Sequence, residues 1–219
     1  SCFVTALAGR TNYINTQYNI LYDYLNTAYT KCGSGVYSPN GQLTASVPYN
    51  EIVSTFTLTN VEDGDGMAPG LAWLGSECVE ITSYNATNNL VTVNRGMLDT
   101  TTQDHASGTR LYKSDSYLGI CKTDHGQGGV YVKLQSVTPS EAFEPISSIP
   151  YDYINLTGRR AKPYPPGNLQ INGTRYPETV DGSQTVTLTW SHRDKTQQTT
   201  TDWITQSDGN VGPEIGTTY

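Results

Sequence analysis

The stretch Gly158–Trp190 constrains this chain more than any other. It opens with a basic turn, Gly158-Arg159-Arg160, and stiffens at Pro163-Tyr164-Pro165-Pro166. Proline fixes φ and drives the residue before it into extended geometry, so Lys162 to Pro166 is expected to be a semi-rigid connector. Gly167 ends the rigid run. Asn168–Asn172 then reads as a short strand with Leu169 and Ile171 on one face. In Thr185–Trp190, Val186, Leu188 and Trp190 alternate with threonines, the period of a half-buried strand. The expectation is a hinge over 158–167, one β-domain before it and a new one after it.

Composition supports a mainly β chain. Of the 219 residues only 15% are charged, and 16 are Tyr. Tyr and Thr favour strands, whereas the abundant Gly, Asn and Pro favour turns. The net charge of −7 and the lack of a basic cluster beyond Arg159–Lys162 argue against nucleic acid as the main partner. The sequence has no apolar run long enough to span a membrane as a helix. The start, Ser-Cys-Phe-Val-Thr-Ala-Leu-Ala, has no basic leader and is not read as a signal peptide; with no initiator Met, residues before Ser1 are expected to have been removed or to lie outside this sequence. The four cysteines, Cys2, Cys32, Cys78 and Cys121, show no metal-ligand spacing. They read as buried free thiols; if a disulfide forms, Cys2–Cys32 is the expected pairing, tying down an N-terminal arm.

Residues 1–50 read as a Tyr-rich irregular arm. Ile14, Tyr18, Leu21, Tyr22, Leu25 and Tyr29 approximate helical spacing, so one helix near 14–29 is an expectation, weakened by several Asn. Residues 31–50 read as a loop or extended strap. Strands are expected at 52–58, 73–75, 78–84, 90–94, 110–112, 119–121 and 130–137. Glu77–Tyr84 and Leu90–Asn94 should form a hairpin across the polar turn Asn85–Asn89. Together 51–157 are expected to form an antiparallel barrel or sandwich.

Candidate chemistry is sparse. Glu62-Asp63-Gly64-Asp65-Gly66 lacks the ligand pattern of a calcium loop and reads as an acidic turn, with Gly64 and Gly66 suited to positive φ. Arg95, Gly96, Asp99, Thr100 and His105 bring a cation, a carboxylate, a hydroxyl and an imidazole together, but no nucleophile context accompanies them. They read as a structural loop in which Asp99 caps a turn and His105 bonds backbone. Asp124–Gly129 reads as a flexible hairpin tip and a reasonable contact point. Glycoside hydrolysis needs two acidic groups in a cleft; Glu141 and Glu144, near Phe143, sit between Pro139 and Pro145 in what reads as a strap. No catalytic residue, metal or cofactor is assigned. The surplus Tyr suits subunit interfaces ahead of a sugar site.

Two segments carry a resemblance. Val91–Thr100, followed by His105, Gly108 and Tyr112, resembles the V-x-RG-x-LDT…H-x-x-G element of phage tail proteins. Gly158–Gly173 resembles their R-x-x-PYPPGN-x-x-I-N-G linker, carried here by Gly158, Pro163, Tyr164, Pro165 and Pro166. These are hub proteins of the tail tip or baseplate of long-tailed phages and gene transfer agents. The resemblance covers about 51–219. It implies a partial fibronectin type III-like domain over 168–219, with Trp190 its core Trp and 216–219 the entry to a later strand. It also implies a structural, non-enzymatic role: organising the distal tail, as a homo-oligomer of three-fold or similar symmetry. The implied partners are distal-tail, tape-measure and fibre proteins, with a host receptor met through other domains. The competing expectation is a secreted carbohydrate- or receptor-binding β-module.

Overall fold

A computed structural model describes residues 2–10, 15–50, 53–140, 142–197, 203, 205 and 211–218. The chain is nearly all β. Its strands are β1 (Thr5–Ala6), β2 (Gln17–Asp23), β3 (Thr30–Val36), β4 (Asn40–Leu43), β5 (Val53–Glu62), β6 (Gly70–Leu74), β7 (Glu77–Asn85), β8 (Leu90–Asn94), β9 (Arg110–Lys113), β10 (Gly119–Cys121), β11 (Gly128–Val137), β12 (Asp152–Leu156), β13 (Gly167–Ile171) and β14 (Leu188–Ser191).

Two compact units share the chain, and their boundaries differ from those expected. The first comprises Ser1–Asn40, Val61–Met67 and Tyr112–Lys162; the second comprises Gly41–Asn60, Ala68–Leu111 and Pro163–Tyr219. Residues 51–157 are therefore not one domain. Antiparallel pairing joins segments far apart in sequence, and local composition carries no signal of which segments pair.

The first unit is a six-stranded antiparallel sheet in the order β1-β10-β3-β2-β11-β12. The expected helix near 14–29 is instead β2 and the bend that leads to β3; Ile14 lies outside the described residues. Tyr18 and Ile20 are fully buried on one face of β2, and Tyr and Ile favour such a half-buried pleat. Tyr18 lies against Gly35 and Gly119, where a Cβ would come within 2.4 Å and 2.8 Å of its hydroxyl oxygen. That close approach makes a strand of the Gly-rich segment expected to be a loop, and the Tyr18 hydroxyl donates to Ala6 O at 2.8 Å. Val4, Tyr18, Ile20, Tyr37, Cys121, Val130 and Val132 form the core. The reading of four buried free thiols fails at Cys32 and Cys121, which form a disulfide in place of the alternative Cys2–Cys32 pairing, with Cα atoms 4.8 Å apart across the β3–β10 pair. Sheet order, invisible in the spacing of 89 residues, brings the two together. Cys2 and Cys78 are buried and take no part in the disulfide.

Within this unit the acidic segment 62–66 forms a turn, but positive φ falls on Asp63 (52°) rather than on Gly64 or Gly66. Gly66 allows a close approach instead: a Cβ there would meet Pro39 Cγ at 2.5 Å. Arg10 pairs with Asp63 at 3.2 Å, and Asn40 donates to Glu62 at 3.0 Å. Glu141 lies outside the described residues. The backbone carbonyl of Glu144 accepts from Gln135 Nε2 at 2.7 Å, which fixes the strap to β11.

Of the two architectures expected, barrel or sandwich, the structure forms a closed barrel, β4-β5-β8-β7-β6-β9, most of whose residues belong to the second unit. Closure pairs every barrel strand on both sides and leaves no exposed edge. Ala72, Leu74, Val79, Ile81, Val91, Val93 and Leu111 are all fully buried. The β7–β8 hairpin forms as read from the sequence, with Asn85 Oδ1 accepting from Thr87 N at 2.9 Å in the turn. Beyond Pro163, β13 and β14 form a two-stranded sheet. Here the expectation for Trp190 fails, because Trp190 is 42% exposed and Leu188 53%. Period-two alternation puts side chains on a common face but does not supply a second layer to cover it. Gly216 sits in a turn at φ 84°, and residues 216–218 form no strand; Tyr219 lies outside the described residues.

Candidate functional site

The residues singled out at 95–105 converge on a side chain that the sequence reading overlooked, Glu77 at the start of β7. The β7–β8 hairpin carries Arg95 back beside it. Both side chains are 0% exposed. Arg95 Nε donates to Glu77 Oε1 at 2.8 Å and Arg95 Nη2 to Oε2 at 2.6 Å, a bidentate pair. Gly96 N donates to Oε1 at 2.9 Å, Gln103 N to Oε2 at 3.0 Å, and His105 Nε2 lies 2.8 Å from Oε2. The carboxylate thus takes part in five hydrogen bonds with four residues. The remaining Arg95 donors reach Pro48 O at 2.9 Å and Gln103 O at 2.6 Å. Burial pushes the Glu77 pKa up, but hydrogen bonds from Arg95 and His105 and the Arg95 charge outweigh it and hold the carboxyl below its ordinary value.

This cluster fixes the loop between β8 and His105. Gly96 adopts φ 63°, a left-handed conformation that glycine takes without strain. His105 exchanges two main-chain hydrogen bonds with Val47, at 2.8 Å and 2.9 Å, but its ring, expected to bond loop backbone, serves the Glu77 carboxylate instead. Asp99 stands in the turn after Leu98. The adjacent Thr100 ties that turn down, its hydroxyl donating to Met97 O at 2.7 Å and accepting from Cys78 N at 3.1 Å. With every carboxylate lone pair engaged and solvent excluded, the cluster is built to hold a loop.

The loop in turn receives the segment after the linker. Arg193, just past β14, is almost fully buried. Its Nη1 donates to Thr100 O at 3.1 Å and its Nη2 to Gly96 O at 3.2 Å. The same guanidinium lies 5.3 Å from the Tyr164 ring centroid. One side chain therefore joins the Arg95–Thr100 motif to the Pro163-Tyr164-Pro165-Pro166 motif. Nearby, the hydroxyls of Tyr176 and Thr102 lie 3.2 Å apart, and Tyr176 packs edge-on to Tyr49. Gly158 begins the linker at φ 70°, followed by a 3-10 turn over Arg159–Ala161 and extended geometry at Lys162, as the following proline requires. Glu77 and Arg193 were missed because single charged residues in strand-like surroundings read as surface. A lone Glu opening the apolar run Cys78-Val79 was the available signal for Glu77.

In the first unit, Asp124–Gly129 is pinned rather than loose. His125 N donates to Cys2 O at 2.9 Å, and Asp124 Oδ1 accepts from Cys2 N at 2.9 Å and Gly126 N at 3.1 Å. His125 Nε2 lies 3.1 Å from Cys121 Sγ, and Nδ1 lies 3.0 Å from the Tyr24 hydroxyl. Burial lowers the imidazole pKa, with the Asp124 charge opposing.

The fold and these two clusters define a mainly β chain with a closed barrel and a buried Glu77–Arg95 ion pair. No family model matches the chain, and no curated protein matches it.

Proposed function

We propose that this chain is a structural component of a bacteriophage tail tip or baseplate, a hub segment that organises the distal tail and links it to host-attachment domains. One observation carries the reading: the two segments that resemble hub proteins meet on Arg193, which bonds the 96–100 loop and lies over Tyr164 of the linker. A linker clamped this way passes geometry from the barrel to whatever follows it. The apolar strip of Val186, Leu188 and Trp190 is exposed, as a surface made for permanent contact would be. The chain works as a homo-oligomer, a trimer on this reading, among distal-tail, tape-measure and fibre proteins. It belongs to the virion, and assembly takes place in the host cytoplasm. No enzymatic step is assigned to it.

Immunogold electron microscopy with antibody against this chain tests the reading on particles from the source culture. Label confined to the distal tail end is expected. Unlabelled particles, with the chain recovered free in the medium, would overturn it and leave a secreted carbohydrate- or receptor-binding module.

A further inference from the structure

The geometry points to a metal site that replaces the disulfide when the chain is reduced: Cys32 Sγ, Cys121 Sγ and His125 Nε2 bind one Zn²⁺. The three ligand atoms lie within 4.8 Å of one another. Tetrahedral zinc, with bonds of about 2.3 Å to sulfur and 2.0 Å to nitrogen, needs its ligands roughly 3.5–3.8 Å apart. His125 Nε2 already stands 3.1 Å from Cys121 Sγ, so small side-chain rotations suffice once the S–S bond opens. Two thiolates and an imidazole form a soft donor set suited to zinc, and a fourth position remains for water.

Independent features aim the imidazole. The Tyr24 hydroxyl sits 3.0 Å from Nδ1, where its oxygen can accept a hydrogen bond from Nδ1–H and leave the Nε2 lone pair on the sulfur side. The Tyr22 ring packs edge-on against His125 at 4.7 Å, and Cys2 holds the His125 backbone. Cys2 itself lies outside the ligand group. Cys32 and His125 are only half-buried, so an ion can reach them.

The chemistry balances with a thiol reductant. A dithiol supplies two electrons and two protons and becomes a disulfide; the Cys32–Cys121 bond breaks to two thiols. Zinc binding then releases both thiol protons to solvent. Each redox state thereby keeps β3 and β10 joined, by a covalent bond or by an ion. The inference stands apart from the tail-tip reading.

The test uses the full chain reduced with a water-soluble phosphine and titrated with Co²⁺, a spectroscopic stand-in for zinc. The expected result is a thiolate charge-transfer band with tetrahedral d–d bands, saturating at one ion per chain, displaced by Zn²⁺ and absent from the oxidised chain. His125→Asn and Cys32→Ser lose these bands, whereas Cys2→Ser and Cys78→Ser keep them. Tyr24→Phe weakens Zn²⁺ affinity by about 10- to 100-fold, as loss of an outer-shell partner does. Circular dichroism follows the fold throughout: if reduction alone unfolds the first unit, Zn²⁺ must restore it. No bands in the reduced chain, bands that survive His125→Asn, bands lost in Cys2→Ser, or a reduced chain left unfolded with Zn²⁺ would each overturn the assignment.

Discussion

Replacing Arg95 with Met tests the architecture of the barrel most directly. The substitution keeps much of the side-chain volume but removes the bidentate partner of Glu77, a carboxylate with no solvent exposure. Gly96 N, Gln103 N and His105 stay in place, so the carboxylate keeps three hydrogen-bond partners but loses the cation that pairs its charge. Pro48 O and Gln103 O lose donors as well. Breaking a buried ion pair from one side costs about 3–5 kcal/mol, because it strands a charge in low dielectric. At roughly 2–4 °C per kcal/mol, the second unit should melt about 6–20 °C lower. Near-UV circular dichroism against temperature reads the shift, and urea titration with an unchanged m-value attributes it to stability. The double variant Glu77→Gln, Arg95→Met should recover part of the loss, since no buried charge remains. A loss under about 1 kcal/mol in Arg95→Met would refute the reasoning, because it would mean that water enters the cluster or that the charge is not confined there.

Four further outcomes are expected. Because the folded Glu77 pKa is depressed, its contribution is complete above the ordinary carboxylate pKa and fades as pH falls through the lower folded value; acid unfolding of Glu77→Gln should lack that component, measured by fluorescence from pH 7 downward. Arg193→Met removes two hydrogen bonds from a charged donor, each worth about 1.5–3 kcal/mol, so limited proteolysis should cut within 163–219 earlier while the barrel core persists; unchanged cleavage times would exclude the clamp. Asp23 accepts backbone hydrogen bonds from Ala28 and Thr27, which hold its carboxyl at about 2 against 3.8; the 23–28 turn is thus supported above the ordinary value and loosens as pH falls through about 2, and a carboxyl carbon-13 NMR titration midpoint near 4 would contradict this. Trp190→Ala should cost the isolated chain no more than about 0.5 kcal/mol, as for an exposed position; a loss of several kcal/mol would show that the ring is buried in solution.

Much of the fold was legible because strands and turns announce themselves locally. The β7–β8 hairpin, β9, β10, β11 and β13 follow from alternation and from turn residues within a few positions of one another. The Arg95–His105 segment was legible as a structural loop, since Gly96 marks a left-handed turn and no nucleophile context surrounds it. Where two local patterns overlap, local reading failed: Tyr18, Leu21, Tyr22 and Leu25 satisfy helical spacing while Tyr18 and Ile20 satisfy a strand. The tie was broken by Gly35 and Gly119, whose bare backbones admit the Tyr18 ring, and they lie far along the chain.

What the sequence by itself determined, then, is a mainly β chain sparing in charge, with proline-restricted backbone at Pro163, Pro165 and Pro166. Only the tertiary structure decided that Cys32 pairs with Cys121, that β1, β2 and β3 share one sheet with β10, β11 and β12, and that Glu77 and Arg193 grip the same loop. The physical reason is that strand order and buried charge pairing depend on contacts between residues tens of positions apart. Such contacts leave no mark on composition or periodicity at either partner.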